Sequence, residues 1–324
     1  MRAVVVSQPG DVDSLEVVDL PVPEPGPGEV LIEVTAAGVN RADLMQRRGL
    51  YDPPPGATPV LGLECSGSIA AVGEGVTDLP PGTQVCALLS GGGYAEYVAV
   101  PAGQVAVVPR GVSLLDTAGL MEVACTVWSN VFMMGKLENG ETLLAHGGGS
   151  GIGTMAIQLG KAFGARVAVT VGSKEKAAFC RELGADIVIN YREQNFVETL
   201  KEQGVTADVI LDIIGAKYLA ANISVLSTAG RLVIIGLQGG LRGELDIGAL
   251  LTKRAAVMAT SLRARPTAEK AAIVSAMVAQ VWPLVADGTV RPIIHATYPL
   301  EEVRAAHQVL EDSSHTGKVL LTLN

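Results

Sequence analysis

ETLLAHGGGSGIGTMAIQLGKAF, residues Glu141–Phe163, is the stretch that decides the fold of this chain. Its first part, Thr142–Ala145, is a short apolar run typical of a buried parallel strand. Glycines crowd the residues that follow, and apolar residues then recur at helical spacing from Met155 to Ala162. A strand, a glycine-rich turn and a helix bring backbone N–H groups and a helix N-terminus against a pyrophosphate. The stretch therefore predicts a dinucleotide-binding unit.

The glycine turn departs at one position from the G-x-G-x-x-G pattern of dinucleotide-binding proteins. Read from Gly148, the pattern continues with Ser150 and ends at Gly153, so a serine takes the place of the middle glycine. A glycine-rich turn between a strand and a helix also occurs in α/β proteins that bind no nucleotide. The motif alone leaves both interpretations open, and the surrounding chain has to decide between them.

The chain that follows the glycine turn alternates between strand and helix. Apolar strand candidates recur at intervals of about 20–25 residues, with helical stretches between most of them. This pattern is typical of a doubly wound parallel sheet of Rossmann type, in which the glycine turn follows the first strand. The context therefore favours nucleotide binding. The six predicted strands are Thr142–Ala145, Arg166–Thr170, Asp186–Ile189, Asp208–Leu211, Arg231–Ile235 and Ala255–Ala259.

The residues after the second predicted strand indicate which dinucleotide binds. Sites that prefer NAD place an Asp or Glu there to hold the ribose 2′-hydroxyl. This chain has Ser173 at that point, followed by Lys174, Glu175 and Lys176. A small neutral residue beside lysines accommodates a 2′-phosphate, whereas a carboxylate would repel it. We therefore expect NADPH; the alternative is that both lysines are ordinary solvated helix residues.

The first part of the chain is rich in short strand candidates separated by proline and glycine. Many short strands with few helices predict a partly open β-barrel. After the parallel sheet comes a tail that starts with a predicted long helix, Thr267–Asp287, and we expect this tail to return partly to the first domain. The predicted strands of the first part are Arg2–Val6, Val30–Val39, Gly67–Val72, Gln84–Leu89, Tyr94–Val100 and Val105–Val108.

Length and composition exclude several classes of function. The chain has 324 residues, enough for two domains, and a net charge of −9 without a basic block, so we expect no nucleic-acid partner. Its four cysteines and four histidines show no metal-ligand spacing, and we expect no metal site and no disulfides. We also expect neither a signal peptide nor a membrane helix, and therefore a soluble cytoplasmic protein.

Several motifs, taken in chain order, resemble one family. The chain looks like a zinc-independent quinone oxidoreductase of the medium-chain dehydrogenase/reductase superfamily, and most like the subgroup typified by the p53-inducible quinone oxidoreductase. The likeness spans nearly the whole chain. The motifs that carry it are Gly38-Val-Asn-Arg-Ala-Asp-Leu44, Gly49-Leu-Tyr-Asp-Pro-Pro-Pro-Gly56, Gly62-Leu-Glu-Cys-Ser-Gly67, His146-Gly-Gly-Gly-Ser-Gly-Ile-Gly-Thr154, Asn190-Tyr-Arg-Glu193, Ile235-Gly-Leu-Gln-Gly-Gly240, Thr260-Ser-Leu-Arg-Ala-Arg265 and His315-Thr-Gly-Lys-Val-Leu320.

The resemblance implies a domain organisation and an assembly. Residues 1–121 and 262–324 would form a GroES-like, partly open barrel that carries the substrate, and residues 122–261 would form the NADPH-binding Rossmann domain. Relatives of this kind assemble as homodimers or homotetramers. Zinc-dependent relatives carry Cys where this chain has Asn40, and Gly-His-Glu where it has Gly62-Leu63-Glu64. Both ligand positions are changed here, so the resemblance also implies no metal.

The resemblance further implies which residues bind the cofactor. Lys176 and Tyr191 match the family's contacts to the 2′-phosphate, with Ser173 alongside, and a non-glycine residue at Ser150 is usual in this family. The implied set is Asn40, Thr126, Gly148, Ser150, Gly151, Ile152, Gly153, Gly172, Ser173, Lys176, Tyr191, Gly236, Leu237, Ser261, Leu262 and Lys318.

The implied reaction is hydride transfer from NADPH to a quinone or another conjugated carbonyl. Such a reaction needs orientation and a hydrogen-bond donor to the acceptor oxygen. Tyr51, on its proline-stiffened loop, and the amide of Asn40 are the catalytic candidates. A reductase of enones or enoyl thioesters is a second interpretation. A crystallin-like or RNA-binding protein that retains a vestigial cofactor site is a third.

Overall fold

The computed structural model describes residues 1–323, and these form two compact units. The first unit comprises Met1–Cys125 and Leu262–Asn324, and the second comprises Thr126–Ser261. The chain thus leaves the first unit once and returns to it.

The second unit contains a six-stranded parallel sheet with the strand order β10-β9-β8-β11-β12-β13. The order reverses direction next to β8, the strand that precedes the glycine turn. This is the doubly wound parallel sheet that the sequence predicts. The strands are β8 (Thr142–His146), β9 (Arg166–Val171), β10 (Ile187–Asn190), β11 (Ala207–Asp212), β12 (Leu226–Ile234) and β13 (Ala256–Ala259).

Helices follow most of these strands, and their ends have recognisable causes. Ser150, Ser173 and Asn195 each accept a hydrogen bond from the first turn of the helix that they precede. Leu144 and Ile210 on neighbouring strands are fully buried in the core of this unit. The helices are α4 (Gly151–Ala162), α5 (Lys174–Glu182), α6 (Phe196–Glu202), α7 (Leu219–Val225) and α8 (Ile247–Lys253), preceded by a π-helical segment, Trp128–Met134.

The first unit is built on a seven-stranded sheet with the order β14-β15-β3-β4-β5-β7, in which β6 also pairs with β3. The buried side chains of β3, β4, β5 and β15 form its core, as expected for a partly open barrel. A separate hairpin pairs β1 with β2. The strands are β1 (Arg2–Val6), β2 (Leu15–Asp19), β3 (Glu29–Val39), β4 (Glu64–Val72), β5 (Gln84–Leu88), β6 (Tyr97–Pro101), β7 (Val105–Val107), β14 (Ile294–Pro299) and β15 (Lys318–Thr322).

The tail completes this barrel, because β15 pairs antiparallel with β3 and places Val319 opposite Val39. The helix α10 contributes buried Val303, Ala306 and Leu310 to the same core. The helices of the first unit are α1 (Arg41–Arg47), α2 (Leu114–Thr117), α3 (Met121–Val127), which ends just inside the second unit, α9 (Thr267–Ala286) and α10 (Val303–Glu311).

Two features differ from the sequence-based expectations. First, β2, α2, α3, the π-helical segment and α8 were not predicted. Second, we expected no membrane helix from the sequence, yet α9 has 20 residues and a mean hydropathy of 1.2, so its length and composition alone would permit a membrane span. In the structure α9 packs on the turn Ala102–Gln104, and Trp282 Nε1 donates to Val107 O at 2.9 Å. These contacts make α9 a packing helix of the first unit.

All four cysteines are free and fully buried. Cys65 and Cys86 lie on β4 and β5, Cys125 on α3 and Cys180 on α5. Burial raises the pKa of each thiol, and that of Cys180 reaches about 11.

Candidate functional site

The glycine turn in the second unit has the geometry of an anion-binding turn. Gly147 adopts a positive φ of 77°, which turns the chain out of β8. Ser150 caps α4: its Oγ accepts from Gly153 N at 3.0 Å and donates to Gly147 O at 2.7 Å. The first intrahelical bond runs from Thr154 N to Ser150 O, so the N–H groups of Gly151 and Ile152 precede it. These are the groups that bind phosphate at a helix N-terminus.

Close packing explains why two of these glycines have no side chain. A Cβ on Gly153 would lie 2.2 Å from Gly147 O, and a Cβ on Gly148 would lie 2.7 Å from Val169 Cβ. The turn therefore lies directly on β9, without side chains at Gly148 and Gly153 to hold its backbone away from that strand. The residues present fit a dinucleotide pyrophosphate, and Ser150 supplies the cap that a glycine could not.

The residues predicted to hold a 2′-phosphate come together beside this turn. Lys176 lies against the glycine turn, because a Cβ on Gly149 would lie only 3.0 Å from Lys176 Cδ. The Tyr191 hydroxyl lies against Gly172, 2.4 Å from where a Cβ would be. Ser173 caps α5 by accepting from Lys176 N at 3.2 Å. These contacts gather a lysine, a tyrosine and a serine hydroxyl at the end of β9, where an NAD site would carry a carboxylate.

His146 and Asp212 support the ends of β8 and β11. His146 is buried between Thr170 Oγ1 at 3.0 Å and Asn222 Oδ1 at 2.7 Å, and burial lowers its pKa to about 4. Asp212 accepts from Ile214 N at 2.7 Å and from Gly215 N at 3.0 Å. Both side chains therefore shape the edge of the sheet where the glycine turn begins.

The other predicted cofactor residues of the second unit lie at the ends of its elements. Thr126 is buried in α3, and its carbonyl accepts from Asn130 Nδ2 at 2.7 Å. Gly236 follows β12 and approaches Ile213 so closely that a Cβ would lie 2.7 Å from its carbonyl oxygen. Leu237 is half exposed, and Ser261 is the last residue of this unit. Leu262, the next residue, is buried in the first unit.

In the first unit Asn40 belongs to a buried charged cluster with Lys318 and Glu64. Lys318 Nζ lies 2.7 Å from Glu64 Oε1 and donates to Asn40 Oδ1 at 2.6 Å and to Val39 O at 3.0 Å. Asn40 Nδ2 donates to Glu64 Oε1 at 3.0 Å and to Gly38 O at 3.2 Å. A Cβ on Gly38 would lie 2.2 Å from Glu64 Oε1, so this glycine makes room for the carboxylate.

This Asn40–Lys318–Glu64 cluster does not fit a zinc ion. Zinc takes thiolate, imidazole and carboxylate ligands, whereas Asn40 and Leu63 stand at two of the family's ligand positions. The remaining carboxylate, Glu64, is already paired with an ammonium group. Within residues 1–323 no group of three His, Cys, Asp or Glu side chains is arranged to hold a metal ion.

The bonds of the cluster limit what its members offer a ligand. Each of the two N–H hydrogens of the Asn40 amide has an acceptor within the protein. The Lys318 ammonium group likewise has three acceptor atoms, one for each of its hydrogens. A donor role for Asn40, or a cofactor contact from Lys318, would require one of these bonds to break. Both roles remain predictions.

A chain of buried hydrogen bonds from Arg47 to Asp43 fixes the backbone position of Asn40. Arg47 Nη1 donates to His307 Nδ1 at 3.3 Å, and because a guanidinium only donates, His307 must carry its proton on Nε2. His307 Nε2 then donates to Tyr94 Oη at 3.2 Å, and Tyr94 donates to Asp43 Oδ2 at 3.1 Å. Burial and the charge of Arg47 lower the pKa of His307 to about 3, so it stays neutral.

Asp43, at the end of this chain, ties two backbone segments together. Its carboxylate accepts from Asn40 N at 2.8 Å and from Gly62 N at 3.1 Å. Burial raises the pKa of Asp43 to about 6, against the lowering effect of these two bonds. Asp43 therefore sets the spacing between Asn40 and the segment that carries Glu64.

Tyr51 is held by Arg263. The Arg263 guanidinium lies over the Tyr51 ring, 5.3 Å from its centroid, and Nη1 donates to Tyr51 O at 3.4 Å. The other nitrogens donate to Ser90 O at 2.8 Å and to Gln46 Oε1 at 2.7 Å. Arg263 thus connects the Tyr51 loop to α1 and to the loop after β5.

Glu122 places a protonated carboxyl group near the cluster. Its N–H donates to Glu64 Oε2 at 2.9 Å. Burial, and next the charge of Glu64, raise the pKa of Glu122 to about 8, so this carboxyl is mostly protonated at neutral pH. Sequence reasoning missed Glu122, Asp43, Tyr94 and Arg263 as site residues. Asp43 and Arg263 lie inside the quoted motifs Gly38–Leu44 and Thr260–Arg265, and these motifs were the available signal; no motif pointed to Tyr94 or Glu122.

Comparison with known proteins agrees with this architecture. Residues 26–110 match the family described as alcohol dehydrogenase GroES-like domain, and residues 151–279 match that described as zinc-binding dehydrogenase. A GroES-like domain, a doubly wound sheet and a glycine turn define a pyridine-nucleotide oxidoreductase. The chain is 30% identical to the quinone oxidoreductase of Rattus norvegicus over 333 residues, which cover 100% of this chain and 98% of that protein. The chain therefore belongs to the medium-chain dehydrogenase/reductase superfamily, in its quinone oxidoreductase-like group.

Solved structures show the same fold over the full length. The Escherichia coli quinone oxidoreductase complexed with NADPH superposes with a TM-score of 0.90 at 28% identity, covering 100% of both chains. The enoyl reductase CurK superposes with a TM-score of 0.86 at 26% identity, covering 100% of this chain and 99% of that one. The GroES-like barrel and Rossmann-type sheet expected from the sequence are confirmed, and the protein is an NAD(P)H-dependent reductase.

Proposed function

We propose that this protein reduces quinones and related conjugated carbonyls with NADPH and without a metal. The observation that carries the proposal is the Asn40–Lys318–Glu64 cluster, which stands where the zinc ligands of metal-dependent relatives are expected. Reduction of a simple carbonyl leaves a localised alkoxide, which a metal ion stabilises well. Reduction of a quinone leaves a delocalised hydroquinone anion, for which one oriented hydrogen-bond donor is sufficient. The residues present suit the second reaction.

We assign cofactor binding to the second unit and substrate binding to the first. NADPH supplies the hydride when it is bound. The N–H groups of Gly151 and Ile152 would hold the pyrophosphate, and Lys176 with Tyr191 would hold the 2′-phosphate. The support for NADPH over NADH is the absence of a carboxylate at Gly172 and Ser173. The other cofactor contacts implied by the family resemblance stay predictions.

We assign the donor to the acceptor oxygen to Tyr51, which lies on the loop stiffened by Pro53–Pro55 and is held there by Arg263. Asn40 is the second candidate, and its donation would require its bond to Gly38 or to Glu64 to break. Arg263 keeps the tyrosine ring from turning away. Tyr51→Phe should lower quinone kcat/KM by about 10- to 100-fold, as expected for loss of a donor to developing charge. Tyr97→Phe is the matched control, since Tyr97 bonds Glu33 at the surface. A change within about twofold for Tyr51→Phe rejects the donor role.

One assay separates the substrate classes. NADPH oxidation is measured in parallel with 1,2-quinones, 1,4-quinones, enones and crotonyl-CoA. We expect quinones to give the highest kcat/KM. The likeness to the CurK enoyl reductase supports the second candidate, an enoyl-thioester or enone reductase, and rapid turnover of only the thioester would establish it instead. No turnover with any acceptor, together with filter binding of AU-rich RNA, would favour the non-catalytic alternative.

We also propose that the protein is a cytoplasmic homodimer or homotetramer of the p53-inducible quinone oxidoreductase subgroup. Free cysteines suit a reducing compartment. The second unit exposes large apolar side chains in the segment between β12 and the edge strand β13, which suits contact with a second copy. Light scattering after gel filtration would measure the assembly, and Leu241→Glu should dissociate it. The exposed residues are Leu237, Leu241, Leu245, Ile247 and Leu251.

A further inference from the structure

The first unit contains a cavity of about 780 Å³. Its lining includes none of the proposed catalytic or cofactor-binding residues, but it does include Arg263, which holds Tyr51. All of its lining residues belong to the first unit. Much of its wall is rigid and apolar, since prolines from four separate segments, including Pro101, contribute to it. The six prolines are Pro21, Pro23, Pro54, Pro55, Pro101 and Pro266.

Two buried cations lie in the wall of this cavity. Arg263 and Lys270 are only 4% and 5% exposed. Arg263 donates only to neutral oxygen atoms, and Lys270 Nζ donates to Ser90 Oγ and to Arg263 O. Within residues 1–323, neither cation has a carboxylate oxygen within 4.0 Å. Burial lowers the pKa of Lys270, which indicates how poorly its charge is solvated.

Other charges around the cavity reinforce this positive potential. The N-terminus of the 20-residue helix α9 lines it through Pro266 and Thr267, and its cap, Pro266, has no side-chain acceptor for the first N–H groups. Arg265 lines it as well and pairs with Glu269 at 3.4 Å. Glu29 is the one acidic residue in the lining, and its Oε2 accepts from Gly26 N. The surplus is positive although the whole chain carries −9.

A purely structural role does not explain these charges well. Tethering Ser90 requires a donor, which a neutral amide would provide without the cost of burying an ammonium group. We propose that the cavity binds a small molecule that carries an anionic group, a carboxylate or a phosphate, on an apolar body. The anion would lie at Lys270 and Arg263, and the body would lie against the prolines.

The same contacts connect an occupant of the cavity to the Tyr51 loop. Arg263 lines the cavity and also stacks on Tyr51, and Pro54 and Pro55 of that loop form part of the wall. An anion bound to Arg263 would therefore be separated from the Tyr51 ring only by the Arg263 side chain. The binding proposal itself does not depend on the quinone reductase assignment.

Calorimetric titration tests the proposal with three probes: phenyl phosphate, benzoate and inorganic phosphate. We expect phenyl phosphate or benzoate to bind the wild type, and the stronger of the two identifies the anionic group. Lys270→Met should weaken that binding by about 10-fold or more, Lys270→Arg should restore it, and Lys201→Met, which removes an exposed charge of the second unit, should leave it unchanged. Inorganic phosphate should bind more weakly than phenyl phosphate because it lacks the apolar body.

Several results would overturn the assignment. One such result is that neither aromatic probe binds at about 10 mM, which corresponds to negligible affinity. Another is that Lys270→Met and Lys201→Met weaken probe binding equally. Equal affinity for inorganic phosphate and phenyl phosphate would show that the cavity does not bind an apolar body. If Lys270→Met does not fold, intermolecular NOEs in the wild type decide: contacts from the probe ring to protons of Pro54 or Pro266 support the site, and their absence with bound probe rejects it.

Discussion

Replacing Lys318 with methionine should destabilise the first unit strongly, because it removes the counter-ion of a buried carboxylate. Glu64 is completely buried, and Lys318 Nζ lies 2.7 Å from its Oε1. Methionine keeps most of the side-chain volume, so the change is mainly one of charge. Glu64 would retain two donors, Asn40 Nδ2 at 3.0 Å and Glu122 N at 2.9 Å.

The expected magnitude follows from these contacts. At 2.7 Å and an effective dielectric constant of about 20, the pair attraction is roughly 6 kcal/mol. Removing Lys318 also removes the cost of burying its ammonium group, which is several kcal/mol. Breaking a buried pair from one side typically costs about 3–5 kcal/mol, and the two remaining donors place this case near 3 kcal/mol.

Denaturant unfolding followed by tryptophan fluorescence measures this cost. Trp282 reports on the first unit, and Trp128→Phe removes the other tryptophan, which lies in the second unit. The free energy of unfolding is compared for Lys318→Met, Glu64→Gln and the double variant, with Lys201→Met as the surface control. We expect a coupling energy of at least about 2 kcal/mol between Lys318 and Glu64. The reasoning fails if Lys318→Met costs as much in the Glu64→Gln background as in the wild type.

Three further predictions concern the cofactor site and the pH dependence. Lys176→Ala should raise the KM for NADPH by about 10- to 100-fold and leave that for NADH nearly unchanged, and equal losses in steady-state kinetics would contradict the 2′-phosphate assignment. Gly153→Ala should abolish NADPH binding in a fluorescence titration, since the new Cβ would lie 2.2 Å from Gly147 O, and retained affinity would show that the turn is not the binding element. The pKa of Glu122 is raised from 4.5 to about 8, so the folded state favours the protonated carboxyl group. The stability that this group provides is fully present below pH 4.5 and is lost as the pH rises through 8. Glu122→Gln should therefore be more stable than the wild type at pH 9 by up to about 4–5 kcal/mol and by less than about 1 kcal/mol at pH 5, as a pair of unfolding curves at each pH will show.

The strands and helices that were predicted are those with a recognisable local sequence pattern. The strands β8 to β13 are short apolar runs between glycines and helices, and five of the six were predicted to within one residue of their bounds. β12 is the exception, because it begins at Leu226, five residues before its predicted start at Arg231. The missed elements lack such patterns. The π-helical segment Trp128–Met134 contains aromatic and β-branched residues that favour strands, and α8 exposes Leu251 and Ile247, so it shows no single apolar face.

The site was predictable only in part, because its charges meet through long-range pairing. Asn40 and Lys318 are 278 residues apart in sequence, and they meet because β15 pairs with β3 in a register that sets Val319 opposite Val39. A shift of one residue would turn Lys318 to the other face of the sheet. No local motif encodes that register, so sequence reasoning identified Asn40 and Lys318 without recognising that they are partners of Glu64.

The burial of all four cysteines has a chemical consequence for a protein that handles quinones. Quinones and enones are Michael acceptors, and they alkylate thiolates that they can reach. Here every thiol is fully buried, and burial keeps each one in its unreactive protonated form. Under the proposed function, the substrate thus meets no nucleophilic sulfur on the described surface of the enzyme that reduces it. Repeated turnover should leave the protein unmodified, which makes it resistant to inactivation by its own electrophilic substrates.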